Sequence, residues 1–538
     1  MLRRVIPRCL WLIPAIFCLF LAACQKETQV ARANREGILL VGNSAEPKAL
    51  DPQLVTGVIE SKIIGALFEG LVGDDPSEDN RTPPGAATSW EPNEDMTEWV
   101  FHLQPEGKWS DGTPVTAHDF VFGYHRLLHP DLAGPYAEML YFLKNAEAYN
   151  KGQIKDFSEV GVKAVDDFTL QVILREPVPY LPALTRHYTW FPVPRHVILQ
   201  HGKMTDRFTE WSTLSHLVGN GPFKLTEWRF HDVIEVRRNP HYWDAANVGL
   251  NGIRFFPIEN PYTETRAFLS GQLHTTYQLP SDLIKSVKKS NPELLRQEPY
   301  VGVTFVRFNT TRPALSDARV RQALSLTLER ELLCEHILEG FTPANSLTPK
   351  MGDYEPDPKL GFDPEKARAL LAEAGYPNGD GFPVFSMLIA KPAARAGAEA
   401  LQAMWLKHLN VRVNIQNMDW GSYNSAQQSL NFDLSSAGWI GDYLDPTTFL
   451  LMWTKGNGNN NTGWSDPRYE QRLQEAALKA DSAGRFALFR EAEALLMDAQ
   501  PIAPIAHYSR NYLHRPEVKG WHPLLLDNHP WKAVHLEP

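Results

Sequence analysis

The sequence predicts an α/β protein built in two or three lobes, and three observations support this. Over residues 363–439 helix and strand signals alternate, the pattern of lobes with substantial parallel sheet. The chain, at 538 residues, is too long for one hydrophobic core. Its 41 prolines and 15 tryptophans occur without internal repeat, which suits a rigid body with long ordered loops and broad aromatic surfaces.

In chain order, Trp99, Phe101 and Leu103 recur at the two-residue period and fall on one face of a strand. Lys108-Trp109-Ser110-Asp111-Gly112 makes a tight polar turn, and residues 114–119 open a helix with Thr116 as cap. Residues 168–174 and 233–236 alternate more openly and read as strands. Residues 317–339 form one apolar-periodic helix that buries Cys334 as a small side chain. Asp363 caps and Pro364 opens a helix through Ala374, ended by Gly375-Tyr376-Pro377. A strand over 384–390, a helix over 394–409 and strands over 411–418 and 432–439 follow. In open α/β sheets ligands bind beyond the carboxyl ends of strands, and residues 437–445 sit at such a place.

Residues 1–23 carry three arginines and no acid, with an apolar run over 10–23 that is too short to span a bilayer, so they read as an export signal. Leu21-Ala22-Ala23-Cys24 matches the lipobox of bacterial lipoprotein signal peptidase, which implies cleavage before Cys24 and a diacylglycerol thioether on its sulfur. The mature chain would then be tethered rather than spanning, with residues 24–36 as the tether. Gln25 is not the aspartate that favours inner-membrane retention, so the outer membrane is the expected anchor; in a Gram-positive source it would be the outer face of the cytoplasmic membrane.

Cys9 and Cys18 leave with the signal and Cys24 takes the lipid, so the body keeps Cys334 alone and forms no internal disulfide. Losing three arginines shifts the formal net charge from -10 to -13, which argues against nucleic acid and against a polybasic membrane patch.

The run from Ser89 to Val121, with Trp109, Asp111-Gly112-Thr113-Pro114 and Phe120, resembles the signature of extracytoplasmic solute-binding proteins of peptide and nickel ABC transporters, the oligopeptide-binding type in particular. A second stretch, Gly438-Trp439-Ile440-Gly441-Asp442-Tyr443-Leu444-Asp445-Pro446, extends the resemblance. It implies a two-lobed periplasmic-binding-protein fold with a hinged cleft and an extra small domain, type II and cluster C-like. Residues 37–68, 196–300 and 509–538 would form lobe I, 69–195 the additional domain packed on it, and 301–508 lobe II. The implied role is a monomeric receptor that captures short peptides, needs no cofactor and delivers its cargo to an inner-membrane ABC permease.

The same resemblance nominates site residues. In such relatives the strand equivalent to Gly438, Trp439 and Ile440 takes the peptide backbone as a neighbouring strand, and an aspartate at the position of Asp442 holds the peptide's α-ammonium. Enclosing a protonated amine demands a carboxylate partner, because an unpaired buried charge costs several kcal/mol. By itself Asp442 reads rather as a turn or cap aspartate ahead of Pro446, and it is the surrounding family match that reverses this. Tyr136 matches a ligand-contacting tyrosine, and Trp420, Trp439 and Tyr508 match aromatic pocket walls, although core packing would explain any single aromatic. Arg312 stands where relatives place a lysine that pairs with the peptide carboxylate; the alternative is a solvated loop charge. This chain departs from the pattern at Ser436, where an arginine is expected, and at Thr56, where a glutamate is expected, which opens ligand length and carboxylate recognition.

Enzyme readings find little. The sequence holds no His-Glu-x-x-His pair, no Gly-x-Ser-x-Gly elbow, no phosphate loop and no cysteines with metal spacing. His336 has no second histidine in ligand spacing, and Asp353, Glu355 and Asp357 lack the glycine and terminal glutamate of a calcium loop. The asparagine-rich run over 456–463 reads as an exposed turn. The rivals are a dedicated receptor of the same fold for a cell-wall peptide or metal chelate, and an envelope hydrolase or scaffold, for which no nucleophile can be nominated.

Overall fold

A computed structural model describes residues 27–79, 81–358, 360–390, 394–479 and 481–537. Four strands form a mixed sheet in the order β1 (Ile38–Gly42), β8 (Gly252–Phe256), β7 (Val233–Arg238) and β6 (Phe223–Arg229), with β1 and β8 parallel and the others antiparallel. A second sheet, antiparallel throughout, runs β2 (Ala87–Pro92), β3 (Glu98–Leu103), β5 (Thr169–Ile173), β4 (Val162–Asp166).

On β3, Trp99, Phe101 and Leu103 are buried while Glu98, Val100 and His102 are partly exposed, as the two-residue period requires. The helix that follows, Ala117–Leu128, starts later than expected. Pro114 instead bridges Lys108 across the turn, and Thr116 caps the helix with its backbone N–H donating to Asp119 Oδ2 at 2.9 Å. Gly112 takes φ +92°, a left-handed conformation that closes the turn without strain only in glycine. Leu39, Phe101, Trp109, Phe223, Ile253 and Trp531 belong to one buried cluster, so the two sheets share a core.

The third sheet is ordered β10 (Thr342–Pro343), β14 (Ile502–Leu513), β9 (Leu295–Phe308), β13 (Leu434–Ile440), β11 (Phe385–Ile389), β12 (Val413–Asn417). β13, β11 and β12 are parallel, while β9 runs antiparallel to β13 and β14. Its two faces carry separate cores. Val306, Phe308, Trp405 and Leu434 pack on one side, and Val303, Phe305, Trp453 and Phe489 on the other. β9 and β14 are long because they leave this sheet: at their far ends Leu295 pairs with Leu513, which packs against Phe268, Leu273 and Ile284. Register shifts at Pro504/Ala506 and His507/Ser509 bend the pair on the way.

The helix expected over 317–339 is two helices, Ala318–Leu326 and Arg330–His336. The carbonyl of Leu324 is taken by the Thr327 hydroxyl at 3.0 Å and by Trp405 Nε1 at 2.9 Å, which stops the ladder there. Cys334 is buried, as expected, and burial pushes its thiol up to about 11. No helix among the described residues is long and apolar enough to cross a membrane.

Candidate ligand-binding cleft

A cleft of about 750 Å³ opens between two walls. The third sheet supplies Thr304 and Arg307 from β9, Ser436 to Ile440 from β13, then Gly441 and Asp442, and Tyr508 from β14. The facing wall comes from residues 56–65, from Tyr136, His187 and Tyr188, and from residues 526–531.

Of the expected site residues, Gly438, Trp439, Ile440, Asp442, Tyr136 and Tyr508 line this cleft. Arg312 does not: its Nε sits 3.1 Å from Asp433 Oδ1 and donates to the Phe432 carbonyl at 2.9 Å, outside the lining. Trp420 opens the helix Trp420–Gln428, but its side chain lies outside what is described, as does Cys24 altogether. Thr56 and Ser436, the two departures, both line the cleft.

The strand edge is the central feature. β13 pairs with β9 along its whole length, from Leu434 to Ile440, but with β11 only at Leu434 and Ser435. From Ser436 onward the edge of β13 turned away from β9 has no strand partner among the described residues, so main-chain groups there are open to an added strand. The Tyr423 hydroxyl donates to the Ser436 carbonyl at 2.6 Å and marks where the opening begins.

Glycine at 438 follows from packing. A Cβ there would strike the Tyr508 hydroxyl and lie 3.1 Å from the Val303 carbonyl, and a Cβ at Gly302 would strike the Tyr508 ring. The two glycines clear a bed across β13 and β9 for the tyrosine, which meets Phe341 edge to face at 5.1 Å.

Asp442 stands at the end of this edge. Its backbone N–H donates to Thr448 Oγ1 at 3.1 Å, and no cation among the described residues forms an ion pair with its carboxylate. Burial, and then the charge of Glu138, push that carboxyl up to about 7. Tyr136 is near enough for Asp442 to reinforce the upward shift that burial gives its phenol, and Tyr136 meets His187 edge to face at 5.7 Å.

Several lining groups escaped the sequence reading. Asp527 is an anchor 3.0 Å from Lys62 Nζ, 3.0 Å from Arg510 Nε and 3.1 Å from His529 Nε2. Burial opposes its ionisation, but Arg510 and Lys62 more than offset that and hold the carboxyl well below the usual range, while burial lowers Lys62. These residues are scattered over the sequence and no spacing joins them. The asparagine-rich run is not merely an exposed turn: Asn459 and Asn461 line the cleft, and Asn460 Nδ2 donates to the Trp453 carbonyl at 3.1 Å and the Trp464 carbonyl at 2.9 Å. Away from the cleft, ligand atoms of His201, Glu210 and His216 lie within 4.8 Å of one another, a grouping three ligands wide that could hold a metal ion.

A strand edge left open between two walls, ending at a carboxylate with no cation partner among the described residues, defines a protein built to hold a solute in a cleft. The chain belongs to the bacterial extracellular solute-binding proteins, family 5, whose model matches residues 81–461. It is 34% identical over 499 residues to the periplasmic oligopeptide-binding protein OppA of Salmonella typhimurium, covering 90% of this chain and 89% of that one. It is likewise 34% identical over 495 residues to the periplasmic murein peptide-binding protein MppA of Escherichia coli, covering 88% of each. Among solved structures, OppA of Haemophilus influenzae in complex with RPPGFSPFR superposes with a TM-score of 0.77 at 32% identity, over 93% of this chain and 99% of the other. The two-lobed α/β fold expected from the sequence is the fold of these relatives.

Proposed function

We propose that this protein is a periplasmic receptor, not a catalyst, that captures short peptides in the cleft and delivers them to an inner-membrane ABC permease. The open edge of β13 ending at Asp442 carries the reading. A peptide adds to that edge as an extended strand, with the main chain of Gly438 and Ile440 as partners, and places its α-ammonium on Asp442. Backbone and terminus are then read while Trp439, Tyr136 and Tyr508 offer broad walls to varied side chains. Arg312, engaged with Asp433, has no part in this site.

Closing would turn about β9 and β14, which run between separate cores. The shared core of the first two sheets supports the assignment of 37–68, 196–300 and 509–538 to lobe I with 69–195 packed on it, and of 301–508 to lobe II. The lipobox supports anchoring through Cys24. Exchange of Cys24 for serine should abolish lipid labelling and release the protein to the soluble fraction; persistent labelling would refute the anchor.

Ser436 and Thr56 in the lining, with the likeness to a murein peptide-binding protein, favour a second reading in which the cleft serves one dedicated peptide. Native mass spectrometry of the protein starting after Cys24, purified without refolding, separates the two. A ladder of short peptides supports a promiscuous receptor and a single repeated mass a dedicated one. A protein that retains none, and that binds neither free nor N-acetylated peptides on titration, overturns peptide capture.

A further inference from the structure

Arg307 is a buried cation without a counter-charge among the described residues. It sits on β9 with 6% of its surface exposed, and its side chain lines the cleft beside Ser436. Nη1 donates to Gln427 Oε1 and Nη2 reaches the Asn459 carbonyl at 3.5 Å, while Nε has no hydrogen-bond partner among the described residues. No carboxylate among the described residues lies within ion-pair distance of it. Burial lowers its guanidinium to about 10, with the charge of Tyr423 acting the other way.

Other buried arginines are treated differently. Arg126 pairs with Asp51 at 2.7 Å, Arg485 with Asp445, and Arg186 with Asp74 at 3.3 Å. Arg321 and Arg330 have no carboxylate partner among the described residues but spend their donors elsewhere, Arg321 on the carbonyls of Leu315, Ser316, Ala499 and Gln500, Arg330 on the carbonyls of Pro504 and Gly361 and the Ser325 hydroxyl. Neither lines the cleft. A guanidinium has five donors, and one left under-bonded at a solvent-filled cavity is poised for a planar anion.

We infer that Arg307 binds a carboxylate of the ligand, so that the cleft is built for a zwitterion with Asp442 at one end and Arg307 at the other. The inference rests on the peptide-receptor reading above. Arg307 pairs across β13 with Ser435, seven residues before Asp442, a separation of about 23 Å at strand rise. Less the reach of the two side chains, that leaves roughly three to six extended residues between ammonium and carboxylate. The carboxylate is the C-terminal one or that of an acidic side chain near the end.

The test is calorimetric titration of the protein starting after Cys24 with an alanine tetrapeptide as the free acid, as the C-terminal amide, and as an amide whose last residue is aspartate. In the unaltered protein the free acid should bind about tenfold or more tighter than the amide. In Arg307→Met that ratio should fall to within about twofold with amide affinity little changed, and Arg307→Lys should keep part of it. Recovery of affinity by the aspartate-ended amide would locate the anion on a side chain and support the same assignment. Equal affinity for the free acid, the amide and the aspartate-ended amide in the unaltered protein, or a preference for the carboxylate that survives Arg307→Met, overturns it. So does an equal loss for acid and amide in Arg307→Met, which would make the residue a packing element. Failure of all three peptides on the unaltered protein overturns the receptor reading itself.

Discussion

Arg485 Nη2 lies 2.7 Å from Asp445 Oδ1, and its second amine reaches Asp445 Oδ2, so the two form a buried bidentate pair. Asp445 also accepts the Thr447 backbone N–H at 3.0 Å and its hydroxyl at 2.6 Å. The guanidinium is in turn held 4.7 Å from the ring of Tyr180 and 4.6 Å from that of Phe489. The pair therefore clamps the loop that leaves β13 and carries Asp442 three residues earlier.

Breaking this clamp should be costly. Arg485→Ala leaves a buried carboxylate unpaired and should destabilise the protein by about 3–5 kcal/mol. Urea denaturation followed by tryptophan fluorescence measures the loss, and a midpoint within error of the parent would show that Asp445 is satisfied without it.

Asp442→Asn removes the partner proposed for the peptide ammonium and should weaken free peptides by on the order of 3 kcal/mol. N-acetylated peptides, which have no ammonium to pair, should bind both forms alike. An unchanged dissociation constant for a free peptide would end the assignment.

The same carboxyl sets a pH dependence. With its value near 7 in the empty cleft, protonation must be reversed before an ammonium can pair, so peptide affinity should fall by up to about tenfold per unit as pH drops below 7. Titrations at pH 8, 7 and 6 should show this slope and Asp442→Asn should lose it. The sign for stability is opposite. A folded value near 7 lies above the ordinary 3.8, so this group's contribution is fully present below 3.8 and is lost as pH rises through 7. Asp442→Asn should therefore raise the thermal midpoint of the empty protein at pH 8, and a midpoint that falls there would count against the burial argument.

Gly438→Ala should displace Tyr508 from its bed on β13 and β9. The expected result is a fold retained by far-ultraviolet circular dichroism with peptide affinity reduced about tenfold or more, since both the strand edge and an aromatic wall shift. Full affinity would mean the ring relocates without consequence for the ligand.

Arg312→Ala should leave the ratio of free-acid to amide affinity unchanged within about twofold, because its guanidinium is committed to Asp433 and a carbonyl. A collapse of that ratio would return the carboxylate role to Arg312 and take it from Arg307.

Much of the fold was legible. Thr116 and Asp363 cap the helices they were expected to cap, and Trp99, Phe101 and Leu103 face the core. The strand expected over 432–439 runs over Leu434–Ile440, and the nine-residue run after Ala437 pointed to the cleft through its likeness to a family. The helix over 317–339 was misjudged because apolar period is blind to a side chain that takes a helical carbonyl, as Trp405 takes that of Leu324. Arg312 is nominated by its match to a lysine position of relatives, and nothing in the sequence singles out Arg307; only tertiary contacts show that Arg312 is spent on Asp433 while Arg307 has no carboxylate partner among the described residues.

The sequence by itself determined the strand and helix periods, the caps, the cysteine count, the net charge and the family, because each is local or additive along the chain. Tertiary structure alone decided which edge of β13 stays open, that Lys62, Arg510 and Asp527 meet, and that Asp442 and Arg307 line the cleft without an ion-pair partner among the described residues. Those facts depend on which distant segments converge and on how much water is excluded where they do. Desolvation is a property of the assembled volume, and it is what raises the carboxyl of an ordinary aspartate, Asp442, and lowers the guanidinium of an ordinary arginine, Arg307.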